Sequence, residues 1–203
     1  GTLENVYSFF ATYANIDEFD ASADRLPVAE RPELDRWIIS RLNTTIEDVV
    51  SALDDYDPTT AARAVEGFVE ELSNWYLRRS RRRFWSAKRD NGAHAEAVAP
   101  ENKQAAYQTV YECLLATAKL MSPVAPFFGE KLYRELSSES VGDVAESVHL
   151  AEFPEVDASE RDDALEHRMG LARTISSVVL SLRNQAEINV RQPLPRILVV
   201  TGT

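Results

Sequence analysis

The sequence predicts an all-α antiparallel helix bundle with a β-prone C-terminal tail, and three observations carry that prediction. Apolar residues recur in steps of three and four over long stretches. Prolines and acidic or polar clusters interrupt those stretches about once per helix length. Only at the end, in INVRQPLPRILVVTGT, does the pattern alternate and then run β-branched, as in a strand entering something new.

Taken in order, Leu3 to Ala14 is dense enough in Val6, Tyr7, Phe9, Phe10 and Tyr13 to be a helix packed on several sides. ANIDEFDASADRLPVAERPE is acidic, holds Pro27 and Pro32, and reads as a connecting loop. From Glu33 a long amphipathic helix presents Leu34, Trp37, Ile38, Leu42, Ile46, Val49, Val50 and Leu53 along one face. Asp57 caps the next helix, with Pro58 at its first position, where a missing N–H costs nothing. Its core face runs through Ala61, Val65, Phe68 and Leu72 to either Trp75 or Tyr76, then Arg79 and Phe84.

After the polar break KRDNGAHAEAVAPENKQ, a helix from about Asn102 carries Ala106, Val110, Cys113, Leu114, Thr117 and Leu120 until Pro123 and Pro126 end or kink it. A short helix, PFFGEKLYREL, follows directly, then a loop with a brief extended piece at Ser147 to Leu150. From Ala158 to Glu187 the period returns, with Leu165, Met169, Ala172, Ile175, Val179 and Leu182 in step. The domains are therefore drawn as 1–187 for the bundle and 188–203 for the start of a following unit.

A chain of 203 residues that is 44% hydrophobic can bury a proper core. The single cysteine, Cys113, lies in an apolar run, which excludes a disulfide framework or a Cys-based zinc site and makes it core filler. No apolar stretch approaches the ~18 residues of a membrane span, and the start lacks the regions of a signal peptide. A cytoplasmic protein without membrane contact is expected.

Charge is distributed unevenly. With 33 acidic and 22 basic residues the formal charge is −11, which taken alone argues against nucleic acid. Yet NWYLRRSRRRFWSAKR carries Arg78, Arg79, Arg81, Arg82, Arg83, Lys88 and Arg89 and no acid, so the rest of the chain holds 15 basic residues against 33 acidic ones. So acidic a remaining surface, poor in lysine, is what a salty cytoplasm would favour. On a helix Arg78 and Arg82 stand one turn apart with Trp85 just beyond, and Arg79 and Arg83 form a parallel row. Such a face offers guanidinium forks for phosphates and flat rings for unstacked bases. The bland alternative is a salt-bridge network with Glu70, Glu71, Asp54 and Asp55. Five arginines in six positions repel one another unless something anionic offsets them.

Catalytic and metal-binding patterns are missing from the sequence. His94, His149 and His167 are scattered, with no spacing that sets two on one face beside a carboxylate. With only seven glycines there is no phosphate-cradling loop, and no GxSxG occurs.

The strings YSFFATYANID, ERPELDRWIISRLN, LSNWYLRRSRRRFW, AKLMSPVAPFFGEKLYREL, ESVHLAEFP and LRNQAEINVRQPL, in that order, resemble the successive signatures that follow the catalytic core in isoleucyl-tRNA synthetases, members of the class I aminoacyl-tRNA synthetases. NWY-x-RRSRRRFW and INVRQPL are the most specific of these, because valyl, leucyl and methionyl relatives share the general helical pattern. NVRQPL favours isoleucine over valine. The resemblance implies a bundle of the class I anticodon-binding type, whose partners are the anticodon stem-loop of isoleucine tRNA and the catalytic and C-terminal domains of a monomeric parent enzyme. It also implies that the parent uses ATP and Mg²⁺ to charge isoleucine and edits mischarged valine. HIGH and KMSKS are both absent, and KLMSP at Lys119 to Pro123 is a chance echo inside a bundle helix. No catalytic residue, cofactor or metal is therefore expected in this chain itself.

The tRNA-binding candidates are Arg78, Arg79, Arg81, Arg82, Arg83, Lys88 and Arg89, with Trp75, Tyr76 and Trp85 as stacking or supporting rings. Arg191, within NVRQP, is a candidate from the other side, and Arg196 a weaker one. Two rival readings remain open: the corresponding domain of a valyl or leucyl synthetase, and a helical scaffold whose basic island docks an acidic protein segment.

Overall fold

A computed structural model describes residues 1–85, 99–137 and 145–199. It divides into two compact units, Gly1–Arg161 and Asp162–Thr203. That division falls earlier than the 187/188 boundary drawn from the sequence. The physical reason is that the helix after Arg161 keeps the same apolar period as the bundle, so periodicity alone gives no sign of the break.

In the first unit, α1 (Thr2–Asp17) buries Leu3, Val6 and Phe10 and ends at Glu18, which takes the left-handed conformation (φ 53°). The acidic stretch that follows is a loop with a single 3₁₀ turn at Val28–Glu30, as its prolines and lack of period imply. Helix α2 (Glu33–Asp54) buries Trp37, Ile38, Leu42, Ile46 and Val49 of the expected stripe and adds Ile39, while Val50 faces outward.

Asp57 caps α3 (Pro58–Glu70) through the backbone N–H groups of Thr59 and Thr60, at 3.1 and 3.0 Å. The rod continues without a break through a π turn at Glu71–Leu77 into α4 (Arg78–Trp85). Helix α5 (Pro100–Met121) is the centre of the unit: it packs against α1, α2, α3, α4 and then α6 (Pro126–Leu136). Ala106, Val110, Cys113, Leu114 and Ala118 are wholly buried in it, and Cys113 is core filler.

Polar clamps fasten the loops to α5 and α6. Arg31, with a fully buried side chain, donates to the Leu26 carbonyl, Thr109 and Glu112. Arg25 bonds Glu112 and Glu160, and Gln108 bonds both Leu26 N–H and the Asp24 carbonyl. A buried guanidinium is tolerated because every side of it meets an acceptor. The Ser147 to Leu150 piece, expected as extended, is a turn. Glu130 of α6 accepts from Ser147 Oγ and Val148 N, each at 2.9 Å, and the Leu150 amide then closes on the Ser147 carbonyl.

In the second unit, Asp162 caps α7 (Asp163–Gln185) by accepting from Leu165 N at 2.8 Å. The chain then turns at Glu187, another left-handed residue (φ 56°). The β-branched tail is irregular as far as Val199, and no strand occurs among the described residues. A lone β-prone segment has no ladder to join, so propensity alone does not make it a strand. No described helix is long and apolar enough to cross a membrane.

Candidate nucleic-acid interface

The basic island lies on the rod formed by α3, the π turn and α4. A π turn is wider than an α turn, so it shifts the phase of every residue beyond it. Before the turn Ala61, Val65 and Phe68 face the core; within it the buried positions are Leu72, Tyr76 and Leu77, and beyond it Ser80 and Phe84. Tyr76 therefore takes the inward place and Trp75 lies at the edge, half-buried. Arg79, expected on the core face beyond Tyr76, is exposed instead.

The inner face is knitted into the bundle. Phe84 meets Phe9 edge-on at 5.3 Å and Tyr107 at 4.8 Å between ring centres. Tyr76 is wholly buried and its hydroxyl donates to Asp35 Oδ1 at 2.7 Å. Arg83 grips the same carboxylate with Nη1 and Nη2 at 2.5 and 2.6 Å, and also donates to the Asn102 carbonyl. Burial pushes the Tyr76 phenol well above its ordinary range, and the Asp35 charge adds to the shift. These bonds tie α4 to the first turns of α2 and α5.

Two of the candidates drawn from sequence are corrected by this arrangement. Tyr76 has no ring face open to a base, and the Arg83 guanidinium is spent on Asp35 and Asn102. The salt-bridge alternative holds for Arg83 but through a different acid from those expected, since Glu71 bonds Arg41 at 2.9 Å. Asp35 was legible in principle: it precedes Ile38 and Ile39 by three and four residues, on the arc that is buried, and an acid placed there requires a partner.

The outer face keeps the remaining arginines together. Arg78, Arg79, Arg81 and Arg82 are exposed, and Trp85 is 54% exposed among them. At 100° per residue, Arg81, Trp85, Arg78, Arg82 and Arg79 follow one another around a single arc of α4. Arg78, Arg81 and Arg82 make no ion pair with any described residue. Arg79 lies flat over Trp75, with its guanidinium carbon 3.1 Å from the ring centre. The face thus presents Arg78, Arg81 and Arg82, without an acidic partner among the described residues, around an open indole, which suits phosphates and unstacked bases. Lys88 and Arg89 lie outside the described residues. Arg191 is exposed in the second unit.

Residues 35–198 match the family model for the anticodon-binding domain of tRNA ligases, and the chain belongs to that family. Among its relatives it is 48% identical over 200 residues to the isoleucine–tRNA ligase of Cytophaga hutchinsonii and 49% identical to that of Porphyromonas gingivalis, in each case over 98% of this chain. It is 42% identical over all 203 residues to the isoleucine–tRNA ligase of Thermus thermophilus. The chain spans only 17%, 16% and 18% of the length of these three relatives.

Proposed function

We propose that this chain is the part of an isoleucine–tRNA ligase that holds the anticodon stem-loop of isoleucine tRNA. The observation that carries this reading is the outer arc of α4, where Arg78, Arg81 and Arg82 stand exposed and without a described acidic partner around Trp85. Each guanidinium fork suits a phosphate, and the open indole suits a splayed base. The names of the relatives support isoleucine as the amino acid concerned. In this reading ATP and Mg²⁺ serve the ligation step elsewhere in a monomeric cytoplasmic enzyme, and the domain itself uses no cofactor.

The test is a KCl titration of binding to the isoleucine anticodon stem-loop, beside a stem-loop of unrelated anticodon. The wild type prefers the cognate loop. Arg78→Gln with Arg82→Gln makes the salt slope shallower by about two, one for each phosphate no longer neutralised. Trp85→Ala weakens binding by about 1–3 kcal/mol if a base stacks there. Equal slopes for variant and wild type, or equal binding of heparin and RNA, would overturn the reading in favour of a scaffold that docks acidic segments.

A further inference from the structure

A second basic element is built into the Asp162–Thr203 unit. Helix α7 closes with the Ile188 amide bonded to the Arg183 carbonyl at 2.8 Å. Asn189 then organises a tight turn: its carbonyl accepts from Gln192 N at 2.9 Å, and its Oδ1 accepts from Arg191 N at 3.2 Å. The Arg183 guanidinium fills the inside of that turn. Its Nη2 donates to the carbonyl oxygens of Asn189, Val190 and Gln192.

Three carbonyls drawn onto one cation have two consequences. The turn is held in a single shape from within, and its carbonyl dipoles point inward, so their positive ends face away from Arg183. On the outside, Val190 is 66% exposed and Arg191 is exposed at the tip. The sequence agrees: from Ile188 to Thr203 there are two arginines and no acid, in a chain with 33 acidic residues. A preformed, acid-free turn with an arginine at its tip costs little to order around an anion.

We propose that the Asn189–Gln192 turn is a phosphate-binding element of its own, with Arg191 as the contacting residue and Arg183 as the positioning residue that shapes it. The proposal rests on the anticodon-binding reading and names a further contact for the same RNA. Arg183 acts from inside the turn, through Nη2 on the three carbonyls, and is not itself the phosphate contact.

The experiment measures binding of the isoleucine anticodon stem-loop across a KCl series for wild type, Arg191→Gln, Arg183→Gln, Arg183→Lys and the double variant. Arg191→Gln weakens binding several-fold and lowers the salt slope by about one. Arg183→Gln weakens it by the same amount without touching RNA, the double variant is no worse than either single one, and Arg183→Lys recovers part of the affinity. A simple helix-end role for Arg183 would lower the melting temperature and leave the salt slope alone, which would overturn the positioning role. An unchanged slope in Arg191→Gln would overturn the proposal even if the Arg183 variants failed to fold. Weaker binding in Arg78→Gln with Arg82→Gln but not in Arg191→Gln leaves the anticodon reading standing and this one refuted; unchanged binding in both refutes both.

Discussion

Arg83 reaches both oxygens of Asp35, at 2.5 and 2.6 Å, and the Asp35 side chain is completely buried beneath it. The pair joins the helix that carries the basic face to the start of α2, and Tyr76 completes it from the same rod. A buried carboxylate that loses its partner keeps its desolvation cost, so breaking such a pair is far more damaging than replacing both members. Arg83→Ala is therefore expected to cost about 3–5 kcal/mol of stability. The triple change Asp35→Leu, Arg83→Met and Tyr76→Phe, which also removes the hydroxyl that would be left without an acceptor, is expected to cost much less. Urea unfolding followed by tryptophan fluorescence decides it; an Arg83→Ala midpoint equal to wild type would mean that the pair does not clamp the rod.

Two helix glycines, Gly129 at the α5–α6 corner and Gly67 in α3, predict opposite signs on substitution. A Cβ at Gly129 would sit 2.9 Å from the Ala118 carbonyl oxygen and 3.2 Å from Ser122 Cα, both backbone atoms of the facing helix end. Neither can give way without moving the corner, so Gly129→Ala should cost about 1–3 kcal/mol. Gly67, exposed in α3, has nothing within 4 Å of the same position. Gly67→Ala should stabilise by about 0.5–1 kcal/mol through helix propensity. Melting curves of the two single variants check the pair, and a Gly129→Ala protein as stable as wild type would show that the corner repacks freely.

Much of this architecture was legible because it depends on local chemistry. The Asp57 cap with Pro58, the α2 stripe and the acidic loop before it follow from short-range rules that the fold has no reason to override. The Trp75 or Tyr76 ambiguity could not be resolved that way, since the π turn at Glu71–Leu77 adds a phase shift that a period of 3.6 does not contain. Arg83 looked like its neighbours in sequence, and only its position over Asp35 separates it from Arg82. The tail shows the converse limit. Ile197, Leu198 and Val199 carry strand propensity, but pairing is a property of two segments, and one segment cannot supply it.

The turn at Ser147 to Leu150 gives a pH dependence with a definite sign. Glu130 accepts the Val148 amide and the Ser147 hydroxyl, and also bonds Arg134. The Val148 amide, against the opposing effect of burial and with help from Ser147 and Arg134, holds the Glu130 carboxyl below its ordinary 4.5. A carboxylate whose folded value is depressed stabilises the fold fully above its unfolded value and loses that contribution as pH falls through the folded value. The turn should therefore be fastened above about pH 4.5 and released progressively below it. Amide exchange at Val148 reads this directly: protection falls with acid in the wild type, while Glu130→Gln is less protected at neutral pH and insensitive to acid. A Val148 amide that exchanges at the same rate in both proteins across that range would show that Glu130 does not hold the turn.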